Sequence, residues 1–172
     1  MRQPITQDRI HRFMKEVGQS VRGAGTIFFT GGVTAVLMGW RETTIDVDFK
    51  AEPEPAGFYE ALPPLKEKFE INLEPACPSD FIPALPGWRD RCRFIARYGQ
   101  IDFYHYDFYS QALAKIERAH DRDRVDVAGM IETGLVERAR LLDLFESIRP
   151  GMVRYPAIDP ESFASRVAEF LA

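Results

Sequence analysis

The stretch Thr30-Gly-Gly-Val-Thr-Ala-Val-Leu-Met-Gly-Trp-Arg-Glu-Thr-Thr-Ile-Asp-Val-Asp48 organises the reading of this chain. Just ahead of it, Thr26-Ile-Phe-Phe29 is short, rich in β-formers and bounded by glycine, which predicts a buried strand. Gly31-Gly32 breaks that strand, and Val33, Val36 and Leu37 predict a short helix to about Leu37. Thr43 to Phe49 then alternates, with Ile45, Val47 and Phe49 on one side and Asp46 and Asp48 on the other. That is period two, a strand. Residues i and i+2 of a strand share a face, so Asp46 and Asp48 present adjacent carboxylates, held rigid by a buried opposite face. Such a pair suits magnesium, which takes oxygen ligands and completes its shell with phosphate and water. Glycines between a strand and a helix let backbone N–H groups approach an anion, and the helix start adds a favourable dipole. A Gly-Gly alone reads as a turn, and an Asp-x-Asp alone as a solvated strand face. In this order they describe a site for a nucleoside triphosphate and its metal.

Working outward, residues 6–21 predict an amphipathic helix capped by Thr6, with Ile10, Phe13, Met14, Val17 and Val21 at spacings of three and four. Phe58 to Phe69 has helical character, but Pro63-Pro64 predicts a split there. Ile71-Asn-Leu73 reads as a short strand, and the prolines at 75, 78, 83 and 86 as an irregular loop to Trp88. Arg91–Tyr98 and Gln100–Tyr106 read as two strands joined at Gly99. Residues 108–119, 123–133 and 135–148 predict three consecutive helices, and Asp159-Pro160 starts a last one. The order predicts an α+β domain spanning residues 1–172, with a helical C-terminal part from about residue 108.

Composition narrows the class. With 172 residues, 45% hydrophobic and 28% charged, the chain matches a soluble globular domain rather than a disordered or fibrous one. No apolar run reaches the roughly 18 residues of a membrane span, so no membrane partner is expected. The start, Met1 to Phe13, is too polar for a signal peptide. Lys and Arg total 22 against 26 Asp and Glu, which argues against a broadly basic nucleic-acid binder. Cys77 and Cys92 are too few for a disulfide framework, so a reducing, cytoplasmic setting is expected.

Gly-Gly, a helix and then Asp-x-Asp on a strand resembles the nucleotidyltransferase fold of the DNA polymerase β superfamily. Downstream, Leu113-Ala-Lys-Ile-Glu-Arg-Ala-His-Asp-Arg-Asp-Arg-Val-Asp-Val127 resembles the Lys…Arg…Arg-Asp-x-x-Asp segment of a narrower branch. That branch holds the AbiEii/AbiGii abortive-infection toxins and related bacterial nucleotidyltransferases; Leu85-Pro-Gly-Trp-Arg-Asp-Arg91 is similar to them too. The matches span roughly residues 25–140. The resemblance implies magnesium-dependent transfer of a nucleoside monophosphate from a nucleoside triphosphate to an acceptor hydroxyl, on RNA, tRNA, a protein or a small molecule. It also implies a place in a toxin–antitoxin pair, with a cognate antitoxin as partner. The alternative is a nucleotide-binding module without turnover.

Position by position, Gly31 and Gly32 take the phosphate-loop role, and Asp46 and Asp48 match two metal ligands. A third carboxylate on a neighbouring strand falls to Asp102, between apolar Ile101 and Phe103, with Asp107 as the alternative or as a helix cap. Lys115, Arg118 and Arg122 fall on one face if the helix continues to Arg122; there the cations either neutralise the transferring phosphate or departing pyrophosphate, or belong to a solvated charged helix pair held by mixed salt bridges. The resemblance implies that Asp126 orients Lys115. His11, His105 and His120 are scattered and read as structural or exposed. Trp40 and Trp88 read as packing residues, and Arg91, Arg93 and Arg97 as one strand face, either an ordinary exposed strand or a contact for RNA phosphates.

Overall fold

Apolar residues on one face of Gly25–Thr30 (β1), Asp46–Ala51 (β2) and Ile101–His105 (β5) lay down the floor of a core. With Asn72–Pro75 (β3) and Arg93–Tyr98 (β4), these strands form one mixed sheet in the order β3-β2-β1-β5-β4. β1 runs antiparallel to β2 and parallel to β5; β3 is parallel to β2, and β4 antiparallel to β5. Ile27, Phe29, Val47, Phe49, Ile101 and Phe103 share the core face. Gln7–Ser20 (α1), Gly32–Leu37 (α2) and Phe58–Phe69 (α3) cover it. α1 contributes Ile10, Phe13, Met14 and Val17, one turn apart, and Thr6 caps it by accepting from the Arg9 N–H at 3.4 Å. The structure, a computed structural model, describes all 172 residues.

α3 runs unbroken through Pro63-Pro64, contrary to the expected split. Both prolines face solvent, as do Tyr59 and Glu60, whose carbonyls they cannot bond and water can reach. The buried stripe Phe58, Ala61, Leu65 and Phe69 holds the helix together across them. β2 begins only at Asp46, so Ile45, expected in the core, is 41% exposed.

These elements make up one compact unit, Met1–Cys77 with Cys92–His105; Pro78–Arg91 with Tyr106–Ala172 make up a second. The second is helical: Trp88–Arg91 (α4), Phe108–Arg118 (α5), Asp121–Glu132 (α6), Arg138–Ile148 (α7) and Pro160–Leu171 (α8), with 3₁₀ turns at Pro78–Asp80 and Arg149–Arg154. α6, α7, α8 and the first 3₁₀ turn all pack on α5, whose residues from Phe108 to Leu113 are buried all round. Phe145 and Phe163 meet edge to face at 4.9 Å where α7 crosses α8. Asp159 caps α8 ahead of Pro160. No helix is long and apolar enough to cross a membrane.

Candidate functional site

The register of β1 and β2 settles where the aspartates point. Asp48 stands opposite Thr30 and Phe49 opposite Phe29, so Asp46 and Asp48 leave the sheet on the face away from the α1–α3 core. Both are half-buried, while Val47 between them is fully buried. Asn72 on β3 donates its amide N–H to Asp46 Oδ1 at 2.7 Å, which orients that carboxylate. Thr44 braces the start of the strand, its hydroxyl bonding both the N–H and the C=O of Asp46 at 3.2 and 3.1 Å.

The glycine pair closes on this strand from β1. Gly31 has φ +67°, a conformation that disfavours any side chain, and a Cβ there would stand 2.7 Å from Asp48 Oδ2. A Cβ on Gly32 would collide with Thr44 Oγ1. Gly31 is therefore required by its left-handed backbone and Gly32 by the close approach of Thr44, and the backbone of Gly31 lies against the carboxylate of Asp48. α2 has only six residues, so an anion here would depend on the Gly31–Gly32 backbone rather than on a helix dipole, as the sequence suggested.

Asp102 is not brought to this pair. It lies opposite Thr26 on β1, four residues below Thr30, which is about 13 Å along the strand. It faces Arg97 at 3.7 Å, an exposed ion pair of little weight. Asp107 is fully buried and serves as the cap of α5, accepting from the N–H groups of Tyr109 and Ser110, with Arg91 bidentate on its carboxylate at 2.9 and 3.0 Å. Glu74, which the sequence did not mark, stands opposite Asp48 in the β2–β3 register and is exposed. No three His, Cys, Asp or Glu side chains gather as a metal site. Asp46 and Asp48 offer carboxylate oxygens, the donor type that a hard divalent ion takes.

In the second unit, Lys115 is buried with its ammonium 2.7 Å from Asp126 Oδ2 and 3.3 Å from Asp123 Oδ1. Arg118 reaches the same Asp123 with two bonds of 2.7 and 2.8 Å. Burial pushes the Asp123 carboxyl up, but the hydrogen bonds and charges of Arg118 and Lys115 outweigh it and hold the group below its usual range. Arg122 does not join them. α5 ends at Arg118, Ala119 turns left-handed at φ +60°, and Arg122 belongs to α6. Asp121 and Asp123 in the first turn of α6 favour a new helix start there.

His105, read from sequence as structural or exposed, is buried and bonds Thr34 on α2 at 3.0 Å. Burial, and then the charge of Arg93, lower its pKa to about 4, so it is neutral at pH 7. The expected basic strand face does not form. Arg91 lies on α4, and a register shift between Phe94 and Ala96 puts Arg93 opposite His105 but Arg97 opposite Asp102, on opposite faces of β4. Trp88 packs flat on Tyr106 at 4.5 Å. The chain is thus an α+β protein whose mixed sheet carries two carboxylates beside a glycine turn. Comparison with protein-family models, with curated proteins and with solved structures finds no match to it.

Proposed function

We propose that the protein is a magnesium-dependent nucleotidyltransferase that moves a nucleoside monophosphate from a nucleoside triphosphate to an acceptor hydroxyl. One observation carries the reading: Asp46 and Asp48 share the sheet face away from the α1–α3 core, and the Gly31 backbone lies against the Asp48 carboxylate. Asp46 and Asp48 would hold the ion, and the Gly31–Gly32 backbone would receive phosphate oxygens. A bound magnesium ion supplies charge neutralisation on the phosphates and orients them. The acceptor oxygen forms a bond to the α-phosphorus, the bond to the bridging oxygen breaks, pyrophosphate leaves and the hydroxyl proton passes to water. In this reading Lys115 and Arg118 are the cations of the second unit, and Asp126 positions Lys115. RNA, tRNA or protein hydroxyls are the acceptors in view, with a toxin role and a cognate antitoxin as part of the same proposal.

The register of Asp102 favours a second reading, a nucleotide-binding module without turnover, because only two carboxylates meet at the glycine turn. Incubation with each of the four α-labelled triphosphates, magnesium, total tRNA and a protein lysate separates the two. Label transferred to an acceptor by wild type and lost in Asp48→Asn supports transfer. Magnesium-dependent binding without any labelled acceptor supports the module. Neither binding nor transfer by wild type overturns both.

A further inference from the structure

The sheet ends at β4, and β4 pairs with β5 alone, so the N–H and C=O groups along its outer side meet no other strand. Such an edge is a template for one more strand, and an edge that is merely protected carries charge rather than apolar side chains. This one carries an aromatic. Phe28, Tyr104 and Phe94 lie in register across β1, β5 and β4 on the face away from the α1–α3 core, with ring centroids 5.8 and 5.5 Å apart. Phe28, at the inner end of the row, is 5% exposed; Phe94, at the edge, is 58% exposed. Arg97 stands on the same face, opposite Asp102, and Arg93 on the other, opposite His105; both are exposed. Gly18 of α1 crowds the Tyr98 carbonyl, so the run open to a partner is Arg93–Arg97.

We propose that the outer edge of β4 docks an extended, acidic segment of another protein as one more strand of the sheet. This surface uses none of the residues of the transfer reading and stands or falls apart from it. Main-chain hydrogen bonds to Arg93–Arg97 supply the affinity, and alternate side chains of the segment supply the selectivity. On one face an apolar side chain continues the aromatic row beyond Phe94 and a carboxylate meets Arg97; on the other a carboxylate meets Arg93. The contact of Arg97 with Asp102, 3.7 Å long and exposed, is loose enough to be shared. A second copy of this chain is a poorer occupant. β4 holds no acidic residue, so no register of one β4 on another sets an arginine against a carboxylate. The sheet's other edge, β3, has four residues and ends at Pro75, which has no N–H to donate. A nucleic acid has no peptide backbone to pair with the edge, and its phosphates would have to pass Asp102.

The test is NMR titration of the full chain, following the β4 amides, with a capped peptide that alternates glutamate and valine. Its controls are the same peptide with lysine for glutamate, the same peptide with every amide N-methylated, and oligouridylate. The acidic peptide at millimolar concentration is expected to shift the amides of Arg93–Arg97 and slow their hydrogen exchange. Its affinity falls by about tenfold in Arg93→Ser/Arg97→Ser, and it falls again in Phe94→Ser; these side chains are exposed and outside the core, so the variants keep the fold. The lysine peptide does not bind, and the N-methylated one, which keeps the charge but cannot donate to the edge, does not bind either. No shift at β4 with the acidic peptide overturns the proposal, as does equal binding by the lysine or the N-methylated peptide. Oligouridylate that shifts the same amides gives the edge to a nucleic acid and overturns it. Sedimentation velocity is expected to show that the wild-type chain does not self-associate through this edge; a dimer that Phe94→Lys dissolves gives the edge to a second copy and overturns it too.

Discussion

Replacing Lys115 is the most informative perturbation, because its ammonium is the centre of a buried ion cluster. Its side chain is 7% exposed, between Asp126 at 0% and Asp123 at 2%. Lys115 and Arg118 balance the two carboxylates, so Lys115→Met leaves one uncompensated negative charge in the interior. Breaking a buried pair from one side costs about 3–5 kcal/mol. At about 2–4 °C per kcal/mol for a chain of this length, the melting temperature falls by roughly 6–20 °C. Removing the partner charge as well, in Lys115→Met/Asp126→Asn, recovers most of the loss, since the desolvated carboxylate is gone. Urea unfolding of wild type, both single variants and the double variant, all at pH 7, gives the coupling directly. A coupling of several kcal/mol is expected, against the few tenths typical of an exposed pair. A strictly additive cycle, or a Lys115→Met variant as stable as wild type, would refute the buried-cluster reasoning. The double variant also separates structure from chemistry. If it folds like wild type yet transfers no label, Lys115 acts in the reaction; if it transfers normally, Lys115 only holds α5 to α6.

Gly31→Ala meets both a left-handed backbone and a contact 0.7 Å or so inside ordinary van der Waals range of Asp48 Oδ2, so it costs about 1–3 kcal/mol and abolishes magnesium-dependent triphosphate binding; thermal unfolding and calorimetry check both. Asp48→Asn keeps wild-type stability, because the side chain is only half-buried and outside the core, yet loses triphosphate affinity; an unchanged affinity removes the metal role. For His105 the folded pKa is depressed from 6.5 to about 4, so below pH 6.5 the unfolded chain binds a proton that the fold refuses. Stability therefore drops by about 3 kcal/mol between pH 6.5 and 4, and His105→Gln flattens that limb in denaturant titrations. Asp123, whose pKa is held low, acts in a separate window: its contribution persists above the ordinary carboxylate range and is lost only as pH falls below it.

Local pattern made the strand–glycine–helix–strand unit legible, because period-two burial and a Gly-Gly break are properties of neighbouring residues. It located Asp46 and Asp48 on one face for the same reason, and it placed Lys115 and Asp126 in the helices where they meet. Pattern failed where the deciding partner was distant in sequence. Pro63-Pro64 breaks an isolated helix, but the buried stripe from Phe58 to Phe69 overrides that local penalty. Asp102 has the apolar neighbours of a site residue, yet its place is decided by the pairing of β5 with β1, which sets it opposite Thr26. Arg91, Arg93 and Arg97 have the spacing of one strand face, but Arg91 ends α4 and the shift between Phe94 and Ala96 turns Arg93 and Arg97 to opposite sides. His105 and Asn72 carried no local signal; Thr34 and Asp46 give them their positions through contacts between separate elements. Alternation along a strand is written in its own residues, whereas register and the return of a turn onto a glycine depend on which surfaces the whole chain must bury.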